Sequence, residues 1–540
     1  MDSINHTQQA MARLLIISWL LISLLTGSRA NDYNIVNFGA VPDTSVLSTN
    51  AIQKAIDECF SHGGGVVIIP SGNFKTGTII LKSNVTLYLQ PGAILFGSRN
   101  LDDYADIKPK FVSLRTQEAT KQLIYAENSE NVTITGFGEI NGQGAKFKKM
   151  SWNDEGITRP HLMRFITCNN VRVENISLKN SGCWMQHYLA CTNLQIKGLK
   201  IYNHNNFNND GLDIDGCRNV TISDVISDSD DDGITLKSTS DRICENVAIT
   251  NCVVSSHCNA IKLGTESNGG FKNISISNCV VKPSAVTDTN FFGSVNGTSG
   301  ISLEIVDGGA LQGVVINNIS IDGTESPLFI RLANRARPYK KDMEKPSIGT
   351  LGDVLISNVV IRNAKRTGCS ITGLPGHPVT NIRLSNITAE FEGGGLISDA
   401  NREIGEKEAD YPDATMFGNL PSYGFFVRHA SGIEFDGLKI TTKSDDARPA
   451  FLFTDVENAV VNSVQMSSSD KCGSNVVLSD TKNVKLMNCE ILGRSNCLAK
   501  ITGAATHDVF IIDNFLKNVS EIFSLKDVSE KEIHVRGNFK

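Results

Sequence analysis

From Asn169 onward the chain repeats one pattern. "NNVRVENISLKNS", "TNLQIKGLKIYNH", "RNVTISDVISDSD", "ENVAITNCVVSSH" and "KNISISNCVVKPS" each hold two short alternating apolar runs joined by a polar or glycine bend. The anchors Val171, Leu194, Val220, Val247 and Ile274 stand 23, 26, 27 and 27 residues apart. The pattern continues through "QGVVINNISIDGT" to "KNVKLMNCEILGR", with later spacings of about forty where loops enter the coil. Alternation with period two turns one face of each run inward. No run can bury that face alone, so the segments must stack. The spacing predicts an all-β fold: a right-handed parallel β-helix of about ten or more coils, with strands roughly 4.8 Å apart. A propeller would need antiparallel blades joined by hairpins, and "NG" or "DG" turns between paired strands are too few.

The first residues differ. "MARLLIISWLLISLLTGSRA" places Arg13 before the apolar run Leu14 to Leu25, with small residues at Ser28 and Ala30. This reads as a signal peptide over 1–30, leaving 31–540 as one β-helix domain and predicting export to the periplasm or the exterior. The run is short for a membrane span and no second stretch reaches spanning length, so no stable insertion is expected after cleavage. One helix is predicted from about Ser48 to Phe60, with Ile52, Ala55, Ile56, Cys59 and Phe60 as its apolar stripe. It would cap the open end of the solenoid, and the "HGGG" after it reads as a helix stop.

Net charge is −6, with both signs mixed and no basic run, which excludes a nucleic-acid partner. There are thirteen cysteines and no Cys-x-x-Cys. Cys252, Cys279 and Cys489 recur at matching places, as buried small side chains between coils would. Sequons such as Asn131-Val-Thr and Asn273-Ile-Ser fall where coils bend. Asparagine tolerates left-handed backbone there and can ladder from coil to coil.

Carboxylates concentrate in two places, "NNDGLDIDG" (208–216) and "DDDGITLKS" (230–238). Asp210 and Asp231 are one coil apart, with Asp232 beside Asp231. All three should crowd one outer patch on adjacent coils. Crowded like charges raise at least one pKa, so one acid stays protonated while another ionises. Glycoside hydrolysis needs that pairing of acid and base. Clustered aspartate oxygens suit calcium as well.

In these motifs the chain resembles glycoside hydrolase family 28, the polygalacturonases and related pectin hydrolases. The likeness runs from "NIVNFGAVPDTS" to beyond "GVVINNISI". The family's Asn-Thr-Asp-Gly matches Asn208-Asn209-Asp210-Gly211, and its paired aspartates match Asp231-Asp232. The resemblance implies hydrolysis of a pectic chain with inversion and without metal or organic cofactor, and a monomer is expected. It makes Asp231 the general acid, and Asp210 with Asp232 the holders of the water. The family's histidine falls near "SSHCNAIKLGTES", with Asn259 at its place and His257 two residues earlier. Its Arg-x-Lys grip on a uronate aligns with Ser302-Leu303-Glu304, where both charges are gone. Arg331, Arg335, Arg337, Arg428, His429 and Lys262 are the positive groups that could substitute. Trp184, Tyr188 and Phe207 lie near enough to line subsites. Two other readings stay open: a polysaccharide lyase on the same solenoid, and a non-catalytic carbohydrate-binding β-helix.

Overall fold

A computed structural model describes residues 32–116, 119–147, 159–288 and 295–540. The expected signal peptide lies outside the described residues. The fold is a right-handed parallel β-helix, and every strand-to-strand ladder in it is parallel. One inward column shows why. Val67 pairs with Leu87, then Ile134, Val173, Ile196 and Ile222 follow on successive coils. The column runs on through Ile249, Ile276 and Ile316 to Ile511. All of these side chains are buried. Each inward residue is flanked by outward neighbours such as Gln195 and Thr221, which are exposed. The alternation read from the sequence is therefore the alternation of core and solvent.

Asparagines make a second column at the bends. Asn193, Asn219, Asn246 and Asn273 all take positive φ, between 55° and 58°. The Asn219 amide donates to Asn193 at 3.0 Å, Asn246 to Asn219 at 3.2 Å, and Asn273 to Asn246 at 3.1 Å. The sequon asparagines Asn219 and Asn273 thus have their amides committed to the ladder. All thirteen cysteines are free and buried, as small apolar filler would be.

The helix α1 (Thr49–Ser61) buries Ala51, Ile52, Ala55, Ile56 and Cys59 against the first coil. Phe60 departs from the expected stripe. It is 45% exposed, with Lys82 Nζ 5.2 Å from its ring. At the end of a helix its side chain has passed the edge of the coil it would pack on.

One ladder holds the carboxylates singled out in the sequence. Its strands are β1 (Gln122–Glu127), β2 (His161–Ile166), β3 (Gln186–Leu189), β4 (Leu212–Asp215), β5 (Ile234–Ser238), β6 (Asn259–Ser267), β7 (Ser299–Ile305), β8 (Ser326–Leu332), β9 (Cys369–Thr372) and β10 (Phe425–Ser444).

Ile222→Ala should cost about 2–5 kcal/mol in a denaturant titration, because the neighbouring coils cannot collapse into the gap. Thr221→Ala, one residue away and facing water, should change stability by no more than about 0.5 kcal/mol. Equal effects at the two positions would contradict the stacked core.

Candidate active site

The β4–β5 register pairs Leu212 with Ile234 and Asp213 with Thr235. The same 22-residue step sets Asp210 against Asp232, and the Gly211 N–H donates to the Asp232 carbonyl at 2.8 Å. On the next coil the Gly233 N–H donates to the Asn259 carbonyl at 2.9 Å. Glycine is needed in both "DG" pairs. A Cβ at Gly211 would meet the Gly233 carbonyl at 2.7 Å, and one at Gly233 the Ala260 carbonyl at 2.6 Å. Coils approach too closely there for any side chain. Asp210, Asp232 and Asn259 thus form a column ahead of the strands, and β6 pairs Asn259 with Ser299 on the next coil.

Asp231 lies beside this column, half-buried, and its Oδ1 accepts the Asp232 N–H at 2.9 Å. Burial and the neighbouring Asp232 charge push its carboxyl up to about 6. Asp232 goes the other way. Burial opposes its charge, but Lys262 at 3.3 Å, Lys237 at 3.9 Å and an Asn259 hydrogen bond of 2.7 Å hold it below the usual carboxylate range. Asp210 is raised well above that range by burial and by Asp213 and Asp231. Asp213, fully buried and opposite Lys237, is raised to about 8, chiefly by burial.

Lys237 centres the cluster, and reading the sequence missed it. Its Nζ lies 3.8 Å from Asp210, 3.6 Å from Asp213 and 3.6 Å from Glu266, and 4.5 Å from the Trp184 ring centroid. Those acids outweigh burial and keep it protonated. Glu266 in turn takes Arg337 at 2.8 Å, and Arg335 and Arg337 both reach Asp307. Strand alternation was the available signal: Lys237 shares the outward parity of Thr235, beside the "DDD" turn.

Several expected site residues stand elsewhere. His257 is buried, with Nδ1 2.9 Å from Asp230 and Nε2 2.8 Å from the Val286 carbonyl. His204 bridges Asp230 and Asp228 at 2.7 and 3.0 Å and meets the His257 ring edge-on. His257 therefore anchors Asp230, and Asn259 takes the place against Asp232. Arg331 is fully buried, and its guanidinium donates to Thr372 Oγ1 at 3.2 Å and to the carbonyls of Glu406 and Lys407 at 2.5 and 3.3 Å. Arg428 donates to the carbonyls of Ile404 and Gly405 at 2.5 and 3.1 Å. Both hold a loop, so neither reaches out as a substrate grip. Lys262 does face the cluster, between Asp232 and Glu304, the latter at 3.8 Å. Asn208, at positive φ, accepts from Arg159 at 3.3 Å. Tyr188 points inward and stacks on Phe165 at 5.4 Å, so it lines no outer surface. Trp184 is buried beneath Arg115 and Lys237. Phe207 is half-buried, its carbonyl held by Arg159.

Two groups of potential metal ligands come together near the site. His204, Asp230 and His257 bring ligand atoms within 4.8 Å of one another, as do Asp231, Asp232 and Cys258. In the first, each imidazole nitrogen already faces an acceptor.

Comparison with known proteins agrees with this picture. A family model described as "Glycosyl hydrolases family 28" matches residues 59–404. A "Probable polygalacturonase" of Vitis vinifera is 33% identical over 220 residues, covering 39% of this chain and 45% of that protein. An "Exo-poly-alpha-D-galacturonosidase" of Dickeya chrysanthemi is 40% identical over 139 residues, covering 24% of this chain and 23% of that protein. The matched stretches thus span less than half of either relative. Among solved structures, an exopolygalacturonase from Thermotoga maritima superposes with a TM-score of 0.60 at 20% identity, over 77% of this chain and 92% of that one, a likeness of fold.

Lys237→Met should destabilise the protein by about 3–5 kcal/mol near neutral pH, since it strips the counter-charge from buried carboxylates. Those acids would then bind protons more tightly in the folded than in the unfolded chain. Stability should fall as pH rises, and the deficit should shrink toward about pH 4. Denaturant titrations of variant and parent across that range measure it. A deficit independent of pH would mean that Lys237 acts by packing alone.

Proposed function

The chain belongs to the glycosyl hydrolases family 28, and we propose that it is an exported enzyme hydrolysing O-glycosidic bonds in galacturonic-acid-containing pectic chains, with inversion. One observation carries the assignment of roles. Asp231 and Asp232 are adjacent, yet their surroundings push their titration in opposite directions. Neighbouring carboxyls driven apart in this way supply an acid and a base at one pH.

In the mechanism, Asp231 gives its proton to the glycosidic oxygen as the bond to the anomeric carbon breaks. The Asp232 carboxylate takes a proton from water, whose oxygen bonds to that carbon from the opposite face. Asp210, held neutral by its surroundings, serves as a hydrogen-bond donor to that water. Asn259 fixes the Asp232 carboxylate with one amide hydrogen bond and is itself fixed by Ser299, which donates to its carbonyl oxygen at 2.7 Å. Lys237 and Lys262 keep Asp232 ionised. No step requires a metal.

The place of the family's Arg-x-Lys has a distinct chemistry. Ser302 Oγ donates to Glu304 Oε1 at 2.5 Å, and burial raises Glu304 to about 7. Lys262 Nζ stands 3.8 Å from Glu304 Oε2, which accepts no hydrogen bond among the described residues. All three side chains are buried, so this place lacks the paired donors that a uronate carboxylate needs. This supports a neutral sugar, such as rhamnose, at that subsite.

Asp231→Asn should lower kcat by about 10²–10⁴-fold while leaving the thermal midpoint near that of the parent. In the parent, kcat/KM should fall as pH rises through about 6, where Asp231 loses its proton. It should fall again on the acid side, where Asp232 gains one. An asparagine variant with near-parental turnover would remove Asp231 from the acid role.

Initial rates on rhamnogalacturonan fragments should exceed those on plain polygalacturonate by about tenfold or more, the loss expected when a charge-assisted pair is missing. Chelator should leave both rates unchanged. Faster cleavage of polygalacturonate would show that Lys262, Arg335 or Arg337 grips a carboxylate after all. Ultraviolet-absorbing unsaturated products, dependent on calcium, would instead identify a lyase.

A further inference from the structure

A second face of the solenoid, away from the carboxylates, also presents groups that suit a sugar chain. On strands Gly72–Thr76, Ala93–Gly97 and Glu139–Asn141, Lys75 pairs with Phe96, and Phe96 with Asn141. The register runs on from Asn141 to Lys179 and from Lys179 to Tyr202. The residue before each of the five points into the core, so all five point out. Successive coils therefore line up a cation, a ring, an amide, a cation and a ring over about 19 Å, at about 4.8 Å per coil. This ladder is distinct from the one formed by β1 to β10.

The surface is hollowed beside Phe96. A cavity of 420 Å³ is lined by Lys75, Phe96, Arg99 and Gln143, and one of 220 Å³ by Phe96, Gln143, Lys146, Asn180 and Asn205. They meet at Phe96 and Gln143 and so form one trough. The larger has the volume of a small-ligand site, about 300–1,000 Å³. Gln143, at the junction, takes a φ of 53°, which costs energy for a residue with a side chain. Three hydrogen bonds hold it there. Its N–H donates to Asn141 Oδ1 at 3.1 Å, its Oε1 accepts from Arg99 Nε at 2.6 Å, and its Nε2 donates to the Gly97 carbonyl at 2.6 Å. Strain fixed by several contacts is a mark of built binding surfaces.

The charges of the trough are those an acidic sugar needs. Arg99 is exposed, and its terminal nitrogens take no hydrogen-bond partner among the described residues. A guanidinium presented in this way can fork a carboxylate. Lys75 and Lys146 add two more cations, and the one acid among the described lining residues, Asp103, already accepts the Ser98 hydroxyl. At its far end the trough reaches the turn that presents Asp210. The Asn180 amide donates to Asn141 at 3.2 Å and the Asn205 amide to Asn180, while the Asn205 N–H donates to Asn209 Oδ1 at 3.0 Å.

We propose that this trough is a second carbohydrate-binding site, which takes a uronate-rich stretch of a pectic chain, with Phe96 as the platform for a sugar ring and Arg99 on a uronate carboxylate. The proposal rests on the hydrolase reading for the class of polymer, but binding here needs no catalysis. A polymer held both in the trough and at the carboxylates binds at two points, and its second attachment is intramolecular. The site complements the Ser302–Glu304 position, which offers a uronate no pair of donors. Acidic stretches of the chain are held in the trough while a neutral sugar occupies that position.

The test titrates full-chain Asp231→Asn protein with a galacturonate hexamer at low salt, followed by calorimetry. Arg99→Met and Phe96→Ala, each in that background, should weaken binding about tenfold, the loss of one charge-assisted or stacking contact. The methyl-esterified hexamer should bind the Asp231→Asn protein at least tenfold more weakly than the acid. With Asp231 in place, the same two substitutions should raise KM on pectic polymer severalfold with kcat within about twofold. Both constants should stay at parental values on an oligosaccharide too short to reach both sites. If Phe96→Ala does not fold, the result at exposed Arg99 decides. Parental affinity for the hexamer in both variants would overturn the site. Equal affinity for acid and ester would overturn its uronate chemistry. A rise in KM on the short oligosaccharide as well would merge these residues with the catalytic cleft and so overturn a separate site. Binding that responds as expected in a protein that cleaves no pectic substrate would leave the trough standing and overturn the hydrolase reading instead.

Discussion

Every coil of this protein can bury its inward side chains only against the coils above and below it. That constraint forces the parallel register, and the register decides what meets on the outside. Once Leu194, Val220 and Val247 stack, every outward residue one repeat apart must stack as well. The carboxylates at 210 and 232 share a patch because Leu212 and Ile234 share a core position two residues later. Core packing and the geometry of the carboxylate patch are therefore one structural fact. A deletion within a coil between them would shift the register and separate the acids, even with every catalytic residue retained.

Bringing so many acids together is costly in a buried setting, and the cluster is arranged around that cost. Lys237 faces four carboxylates and Lys262 two, so the ionised state is concentrated on Asp232 and Glu266 while Asp210, Asp213 and Asp231 are driven toward their neutral forms. The half-exposed acid, Asp231, is the one raised only to about 6, where it can both hold and release a proton. Behind the strand ends, the His204–Asp230–His257 chain fixes the residue immediately before Asp231 and Asp232. Adjacent aspartates thus differ in surroundings: Asp230 is held by two imidazoles, while Asp231 and Asp232 face the lysine cluster.

The two buried arginines illustrate how a plausible sequence reading can mistake purpose. Arg331 and Arg428 have the charge a uronate would need, one of them a coil beyond the missing Arg-x-Lys. Their guanidinium groups bind backbone carbonyls of the 404–407 loop, with Thr372 Oγ1 also on Arg331 and the Glu406 carboxylate on Arg428. A guanidinium can satisfy carbonyls as well as carboxylates, and nothing local in "FIRLANRARP" distinguishes the two.

The repeats by themselves determined the parallel solenoid, its core face, the asparagine bends and the adjacency of Asp210 with Asp231 and Asp232. All of these follow from period and spacing within one or two coils, which is the range over which a repeating chain specifies its own neighbours. Tertiary structure alone decided the rest. It turned His257 onto Asp230 and put Asn259 on Asp232, because the bend before β6 sets which side chain clears the coil edge. It brought Lys237, Glu266 and Arg337 into one charge network, and carried the Tyr411 ring to 5.7 Å from Lys262 Nζ, from about 150 residues away. Contacts of that kind depend on where an inserted loop lands on a finished surface. Periodicity carries no information about a segment that interrupts it, so what surrounds the carboxylates is legible only in the folded molecule.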